Sequence, residues 1–171
     1  MSNTTTNEKV LQRRDRRIPF LGGIGTDGTY KRMQHFTEFS KSANVKEYSR
    51  KYIDESAERT DSTGMSPEIS YAFDLYSNDP VQKEMADIAD KEIVGTDAIK
   101  PLLIVHLDEE VTGGGYKAYK RNYSIIPDSD GSDDSTYTFS GTLKSAGVQE
   151  EVVATLSDDG LTATVQTGDG E

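Results

Sequence analysis

Hydrophobic and polar residues alternate most regularly between positions 69 and 76. Successive apolar side chains are two residues apart, which is the period of a strand buried on one face. The segment therefore predicts a β-strand. Its two faces carry Ile69, Tyr71, Phe73 and Leu75 on one side and Ser70, Ala72, Asp74 and Tyr76 on the other.

Further strand patterns fill the second half of the chain. Residues 102–107 form an almost continuous apolar run, which predicts a strand buried on both faces. Residues 116–126 and 136–148 predict two more strands. Residues 150–156 and 161–167 alternate in the same way across an Asp159-Gly160 turn, which predicts a closing β-hairpin.

One segment has helical rather than strand periodicity. Residues 79–93 begin with Asp79 as N-cap, followed by Pro80 at the first helical position. Gln82 stands where it would complete a capping box, and Gly95 is the expected terminator. The apolar positions fall on one face; they are Val81, Met85, Ile88 and Ala89.

The first half of the chain is less regular. Residues 18–44 contain Gly-rich turn signals, with one short edge strand expected around Phe36 and Phe39. Residues 45–54 are rich in β-forming side chains. The polar segment 55–67 predicts a long loop, of a kind that usually has a function.

These patterns predict a mainly β protein, a sandwich or barrel with one flanking α-helix, an extended arm and a long inter-strand loop. We expect an N-terminal arm at 1–17, a β domain at 18–167 and a short tail at 168–171. The arm contains the basic cluster Arg13, Arg14, Arg16 and Arg17.

The composition narrows the possible functions. The formal net charge of −11 disfavours tight nucleic-acid binding, which needs a basic face. Only 33% of residues are hydrophobic, which suggests a modest core or apolar surface completed by neighbouring subunits. No apolar run is long enough to cross a bilayer, and the polar N-terminus predicts a cytoplasmic product.

Candidate catalytic groups are sparse. The chain has no Cys, and neither His35 nor His106 lies in a catalytic motif. His106 is expected to be a hydrogen-bonded structural residue within a strand. We therefore expect no enzyme activity, no cofactor and no metal site.

The acidic segment Asp128–Asp134 is the best candidate for a metal site. Its carboxylates could chelate Ca²⁺, but their spacing does not match an EF-hand loop. An exposed acidic turn between two strands is the expected structure.

Several segments, in this order, resemble one known family. They are Phe36-Thr-Glu-Phe-Ser, Tyr48-Ser-Arg-Lys-Tyr-Ile-Asp-Glu, Ser66-Pro-Glu-Ile-Ser-Tyr-Ala-Phe-Asp-Leu-Tyr, Tyr123-Ser-Ile-Ile-Pro-Asp-Ser-Asp-Gly and Phe139-Ser-Gly-Thr-Leu-Lys-Ser-Ala-Gly. Together they are similar to the tail tube (major tail) proteins of siphophages from Gram-positive hosts. The resemblance spans most of the chain.

The resemblance implies a structural subunit of the virion tail, forming hexameric rings that stack into a hollow conduit for DNA. It implies partners that include copies of the chain, a tape measure protein and a terminator protein, with DNA passing through without specific binding. It also implies that the long loop and the arm contact neighbouring subunits. The expected interface residues are Arg13, Arg14, Arg16, Arg17, Glu55, Glu58, Arg59, Asp61 and Met65, and the lumen candidates are Glu47, Glu68 and Asp74.

Two alternative functions are compatible with the sequence. An Ig-like phage or cell-surface binding module would present its loops to a receptor or glycan. A calcium-dependent enzyme or adhesin would use the Asp128–Asp134 segment. Self-assembly distinguishes a tube protein from the first, and metal-dependent stability would reveal the second.

Overall fold

The computed structural model describes residues 11–25, 28–132 and 135–166. Within them the chain is mainly β with a single α-helix, which confirms the predicted fold class. The elements are β1 Arg17–Leu21, β2 Tyr30–Arg32, β3 Phe36–Ser42, β4 Val45–Arg50, β5 Arg59–Met65, β6 Glu68–Asp74, α1 Pro80–Asp90, β7 Ile99–Glu110, β8 Tyr116–Ser132, β9 Tyr137–Ser145, β10 Glu150–Leu156 and β11 Thr162–Gln166, with short 3-10 turns at Arg14–Arg16 and Gly95–Ala98.

A closed barrel forms the larger part of the molecule. Its strands follow the order β10-β11-β2-β1-β7-β8, and β8 pairs back onto β10 to close the circle. The C-terminal hairpin across Gly160 was predicted from sequence and is confirmed. The barrel interior is a buried apolar cluster of Ile18, Phe20, Tyr30, Leu103, Val105, Ala118, Ala154 and Ala163.

The long strand β8 links this barrel to an open sheet. Its first half pairs with β10, and its second half pairs with β9, which continues the sheet in the order β9-β6-β3. We call these last three strands the sheet extension. The expected edge strand around Phe36 and Phe39 is confirmed, because β3 ends the sheet.

A second apolar core fills the space between the sheet extension, the outer side of the barrel and helix α1. The alternation in β6 directs Ile69, Tyr71 and Phe73 into this core, as predicted. Strand β7 contributes Leu102 to this core and Leu103 to the barrel interior, so it is buried on both faces, as predicted.

Helix α1 begins as expected and ends differently. Asp79 is the N-cap, with its carboxylate accepting hydrogen bonds from the N–H groups of Val81 and Gln82 at 3.0 and 3.2 Å. The capping box is wrong, because the N–H of Asp79 donates to the carbonyl of Tyr76 and does not need Gln82. The predicted end at Gly95 is also wrong: the helix stops at Asp90, and Glu92 takes the left-handed conformation with φ 52°.

Buried Gln82 instead connects the helix by hydrogen bonds to two neighbouring backbone segments of the same chain. Its side-chain oxygen accepts the N–H of Tyr76 at 2.7 Å, and its amide donates to the carbonyl of Gln34 at 3.1 Å. Both bonds lie where α1 covers the second core, so they fix the helix over it.

Three other segments differ from the sequence predictions. The region 18–44 is not irregular, because it contains β1 and β2 in addition to β3. Most of the predicted loop 55–67 is strand β5, which has regular pairing with β4. The acidic segment from Asp128 to Ser132 continues β8 as a strand, while residues 133 and 134 lie outside the described residues.

Candidate functional site

Strands β4 and β5 form a two-stranded ribbon, separate from the main sheet. It leaves the sheet extension between β3 and β6, where the N–H of Ser66 donates to the carbonyl of Asn44 at 3.3 Å. The side chains of β4 are exposed throughout, and those of β5 nearly so. An isolated two-stranded ribbon is only marginally stable in water.

Large apolar side chains are exposed along this ribbon and its connecting turn. Ile53 is fully exposed, and Met65 is 62% exposed. Such a group of exposed apolar side chains is typical of a surface that a partner covers. The other exposed members are Val45, Tyr48 and Tyr52.

The residues predicted for the inter-subunit loop all lie on this ribbon or its turn. Glu55 and Arg59 form an ion pair with an O–N distance of 3.0 Å. Asp61 lies opposite Tyr48 and Met65 lies opposite Val45, so each pair shares a face of the ribbon. Glu58 is exposed immediately before β5.

The second candidate surface is the outer face of the sheet extension. Glu68 and Asp74 lie on the same face of β6, because the side chains at 68, 70, 72 and 74 point away from the core. Cross-strand partners on that face are mostly hydroxyl side chains; they are Ser40, Ser42, Thr138, Ser140 and Thr142, with Lys144 opposite Glu68.

The three predicted lumen residues are therefore not together. Glu68 and Asp74 share the outer face of the sheet extension, whereas Glu47 lies on the ribbon opposite Ser62. Glu38, opposite Ala72, belongs to the same face as Glu68 and was missed. The alternation in β6 does not define how β3 pairs with it, so only the observed register places Glu38 on this face.

The third candidate surface is an open groove of about 990 Å³ between the outer side of the barrel and the edge strand β3. Its apolar floor is lined by Pro19, Met33, Phe36, Phe39 and Ile104. Its rim is basic, and the cations are Arg13, Arg14, Arg17, Arg32 and Lys41. We call it the basic groove.

The predicted arm is divided by the structure. Residues 14–16 form the 3-10 turn, and Arg17 begins β1 opposite His106. Arg13, Arg14 and Arg17 line the basic groove, whereas Arg16 does not. Residues 1–10 lie outside the described residues, as does the predicted tail at 168–171.

The groove contains little negative charge. Asp15 is the one carboxylate among the described residues that line it, and it is paired with Arg13 at 3.0 Å. His106, at the other side of the groove, is buried, and its Nδ1 lies 2.9 Å from an oxygen of Glu109. This hydrogen bond agrees with the structural role predicted for His106.

A buried guanidinium lies beside this groove. Arg121 follows Tyr119 by two positions on β8, so both side chains leave the same side of the sheet. The Nε and Nη1 atoms of Arg121 are buried without a hydrogen-bond partner in the described part of the chain. Burial, and secondarily the positive charge of Arg121, lowers the pKa of the neighbouring Lys41.

Metal ligation finds no support in the described part of the chain. No group of three or more His, Asp or Glu side chains there is placed to hold a metal ion. No helix among the same residues is long and apolar enough to span a membrane.

The closed barrel, the sheet extension and the single covering helix define a mainly β class of fold. The chain is similar to one in the tail of an empty gene transfer agent particle, refined with C6 symmetry, at a TM-score of 0.59 and 15% identity over 82% of this chain and 98% of that one. A chain in the virion of a native gene transfer agent particle gives a TM-score of 0.58 at 14% identity, over 84% of this chain and 100% of the other.

A third similar structure is the baseplate of the anti-feeding prophage, symmetrised six-fold. One of its chains matches with a TM-score of 0.50 at 8% identity, over 85% of this chain and 98% of that one. The sequence matches no protein-family model and no curated protein. At these identities the structural likeness shows a shared fold.

Proposed function

We propose that this protein is a tail tube subunit of a phage or phage-like particle, and that copies of it form hexameric rings stacked into a hollow conduit for DNA. The sequence resemblance to siphophage tail tube proteins supports this function, and so does the fold shared with chains of a gene transfer agent virion and of a gene transfer agent tail. On this proposal the protein is a structural component of the virion tail and not an enzyme.

The exposed ribbon is the observation that carries the proposal. A ribbon that covers no core of its own and exposes Tyr48, Ile53 and Met65 needs a neighbour to bury those side chains. In a stacked assembly the next subunit provides that cover. Glu55, Glu58, Arg59 and Asp61 would then form the polar rim of the contact, since interfaces combine an apolar centre with a polar periphery.

The outer face of the sheet extension is the proposed lumen surface. It carries Glu38, Glu68 and Asp74 among many hydroxyl groups, and Lys144 is the one cation among the residues paired across it. A face of this composition repels phosphate and offers few groups that could hold it, so DNA would slide past. Glu47 would lie at the ribbon contact instead of in the lumen.

Electron microscopy of the concentrated protein tests the proposal directly. We expect hollow rods or six-membered rings whose amount rises with protein concentration. Single particles at every concentration would contradict the tube function and favour the binding module with exposed loops.

A pair of matched variants then tests the ribbon. Ile53→Ser with Met65→Ser should leave the melting temperature of the subunit nearly unchanged, because both side chains are exposed, but should abolish rods and rings. Val94→Ser with Val148→Ser removes two similarly exposed side chains away from the ribbon and should assemble normally. Normal assembly of the ribbon variant would exclude the ribbon from the contact.

A further inference from the structure

In the isolated subunit, positive charge exceeds negative charge in and beside the basic groove. Buried charged groups in proteins are normally paired, because removal from water without a partner is costly. Arg121 has two buried nitrogen atoms, Nε and Nη1, without an acceptor in the described part of the chain. Its guanidinium interacts with the phenol of Tyr123, and the charged side chain that acts on it is the cation Lys41. The chain as a whole is strongly acidic, so this concentration of positive charge runs against its composition.

A partner that neutralises this excess positive charge must carry carboxylates and some apolar surface. The cations form the rim, and the aromatic rings of Phe36 and Phe39 form part of the floor. Among the described residues, Arg14, Arg17, Arg32 and Lys41 have no ion-pair partner. A narrow acidic segment with an aromatic side chain fits such a groove in charge and in chemistry.

The hairpin between β8 and β9 has this composition. Asp128 and Asp130 are exposed near its tip, and Tyr137 on the facing strand is 44% exposed. The hydroxyl of Tyr137 donates to a carboxylate oxygen of Asp130, which keeps the two side chains together. We refer to this part of the hairpin as the acidic tip.

The acidic tip and the basic groove are separate surfaces of the same sheet. Asp130 is paired with Phe139, Phe139 with Phe73 and Phe73 with Phe36, which lines the groove, so about 14 Å of sheet separates them, at roughly 4.8 Å per strand. Because β8 and β9 stay paired up to Ser132 and Tyr137, the tip is fixed in the sheet and cannot turn into its own groove. A contact between tip and groove joins different surfaces of two copies, and such head-to-tail contacts repeat into rings or filaments.

We propose that the basic groove of each subunit receives the acidic tip of a second copy, whose Asp128 and Asp130 carboxylates pair with Lys41 and Arg17, while the positive charge of Arg121 beside the groove adds to the attraction. This inference rests on the proposed function in one respect, that copies of the chain assemble. It adds a specific electrostatic contact, distinct from the contact of the ribbon.

Complementary charge reversal tests the contact. The groove variant carries Lys41→Glu and Arg17→Glu, and the tip variant carries Asp128→Lys and Asp130→Lys. Each variant alone should need about tenfold more protein to assemble, because like charges then face each other. A one-to-one mixture should assemble at the wild-type concentration, since alternating copies pair wild-type tip with wild-type groove and reversed tip with reversed groove.

Two further variants control for net charge and for the stability of the subunit. Lys83→Glu with Lys91→Glu makes the same charge change at exposed positions that do not line the groove, and it should assemble like the wild type. Arg121→Met should raise the melting temperature of the isolated subunit, because it removes an unpaired buried charge, and yet weaken assembly. A lower melting temperature together with unchanged assembly would assign Arg121 a purely structural role and overturn its part in the contact.

The outcomes separate this inference from the proposed function. Wild-type rods accompanied by normal assembly of both reversed variants would overturn the tip contact alone. Failure of the one-to-one mixture to assemble at the wild-type concentration would exclude the acidic tip as the occupant of the groove. Unchanged assembly with loss of oligonucleotide binding in the groove variant would identify phosphate as the occupant. No self-association of the wild type at any concentration would overturn both proposals.

Discussion

At the scale of single residues, the second core depends on one tight contact between β6 and β9. A Cβ atom at Gly141 would lie 2.5 Å from the carbonyl oxygen of Ile126 and 2.6 Å from the hydroxyl of Tyr71. Glycine is therefore required at position 141 by the approach of the Tyr71 ring, and no pattern of the sequence indicates this. Tyr71 and Gly141 are paired across β6 and β9 and pack directly against each other.

Burial of Tyr71 makes the folded state sensitive to alkaline pH. Burial raises the pKa of Tyr71 from 10.0 to about 12, so the folded state favours the neutral phenol. The stabilisation is complete below pH 10 and is lost as the pH rises toward 12. At pH 11 the loss should be about 1 kcal/mol.

Urea unfolding at pH 7 and at pH 11 measures this effect. Tyr71→Phe should lose less stability than the wild type between the two values, and the exposed Tyr48→Phe serves as control. An equal loss in Tyr71→Phe and wild type would assign the alkaline sensitivity to other groups, of which Tyr123, also with a pKa raised by burial, is the next candidate.

At the scale of elements, local sequence is sufficient to predict a strand or helix wherever that element has an apolar face of its own to bury. The alternation of β6, the apolar run of β7 and the periodicity of α1 each define an element without reference to the rest of the chain. β5 was missed because Arg59–Met65 contains almost no apolar residues and faces no core. β2 has only 3 residues, too few for a period to be recognised.

The cap of helix α1 should be important for stability because this helix covers the second core. Asp79→Ala removes the acceptor for two backbone N–H groups and should lower the free energy of unfolding by about 1 to 2 kcal/mol. Asp79→Asn keeps an acceptor and should lose much less. Chemical denaturation of the three proteins measures the difference, and equal stability of Ala and Asn variants would disprove the capping role.

At the scale of the whole molecule, the sequence does not predict strand pairings and surfaces that combine segments far apart in the chain. Barrel closure joins β8 to β10 and β11 to β2, pairs with no local signal. The basic groove likewise combines Arg17, Lys41 and Tyr119 from different strands. The sequence shows Arg13, Arg14, Arg16 and Arg17 as one basic cluster, whereas the groove that three of them line exists only in the folded chain.

The proposed lumen face leads to one prediction about the assembled tube. Glu68→Lys with Asp74→Lys should produce rods that retain DNA, with retention falling as salt rises, because added cations bind phosphate through counterion release. Glu47→Lys should not retain DNA if that residue lies on the ribbon contact. Co-sedimentation of rods with labelled DNA at two salt concentrations measures this. Rods that exclude DNA after the double change would remove the sheet extension from the lumen.

The closure of the barrel by its last two strands also affects how the protein is made. β10 and β11 follow every other described strand in the chain, and they bridge β2 and β8. Until they leave the ribosome, β2 and the first half of β8 each have an unpaired edge, which is prone to pair with other chains. The barrel is therefore completed only after its last two strands have been synthesised. Changes that slow the folding of this hairpin should first appear as aggregation of newly made chains, before any loss of stability in finished subunits.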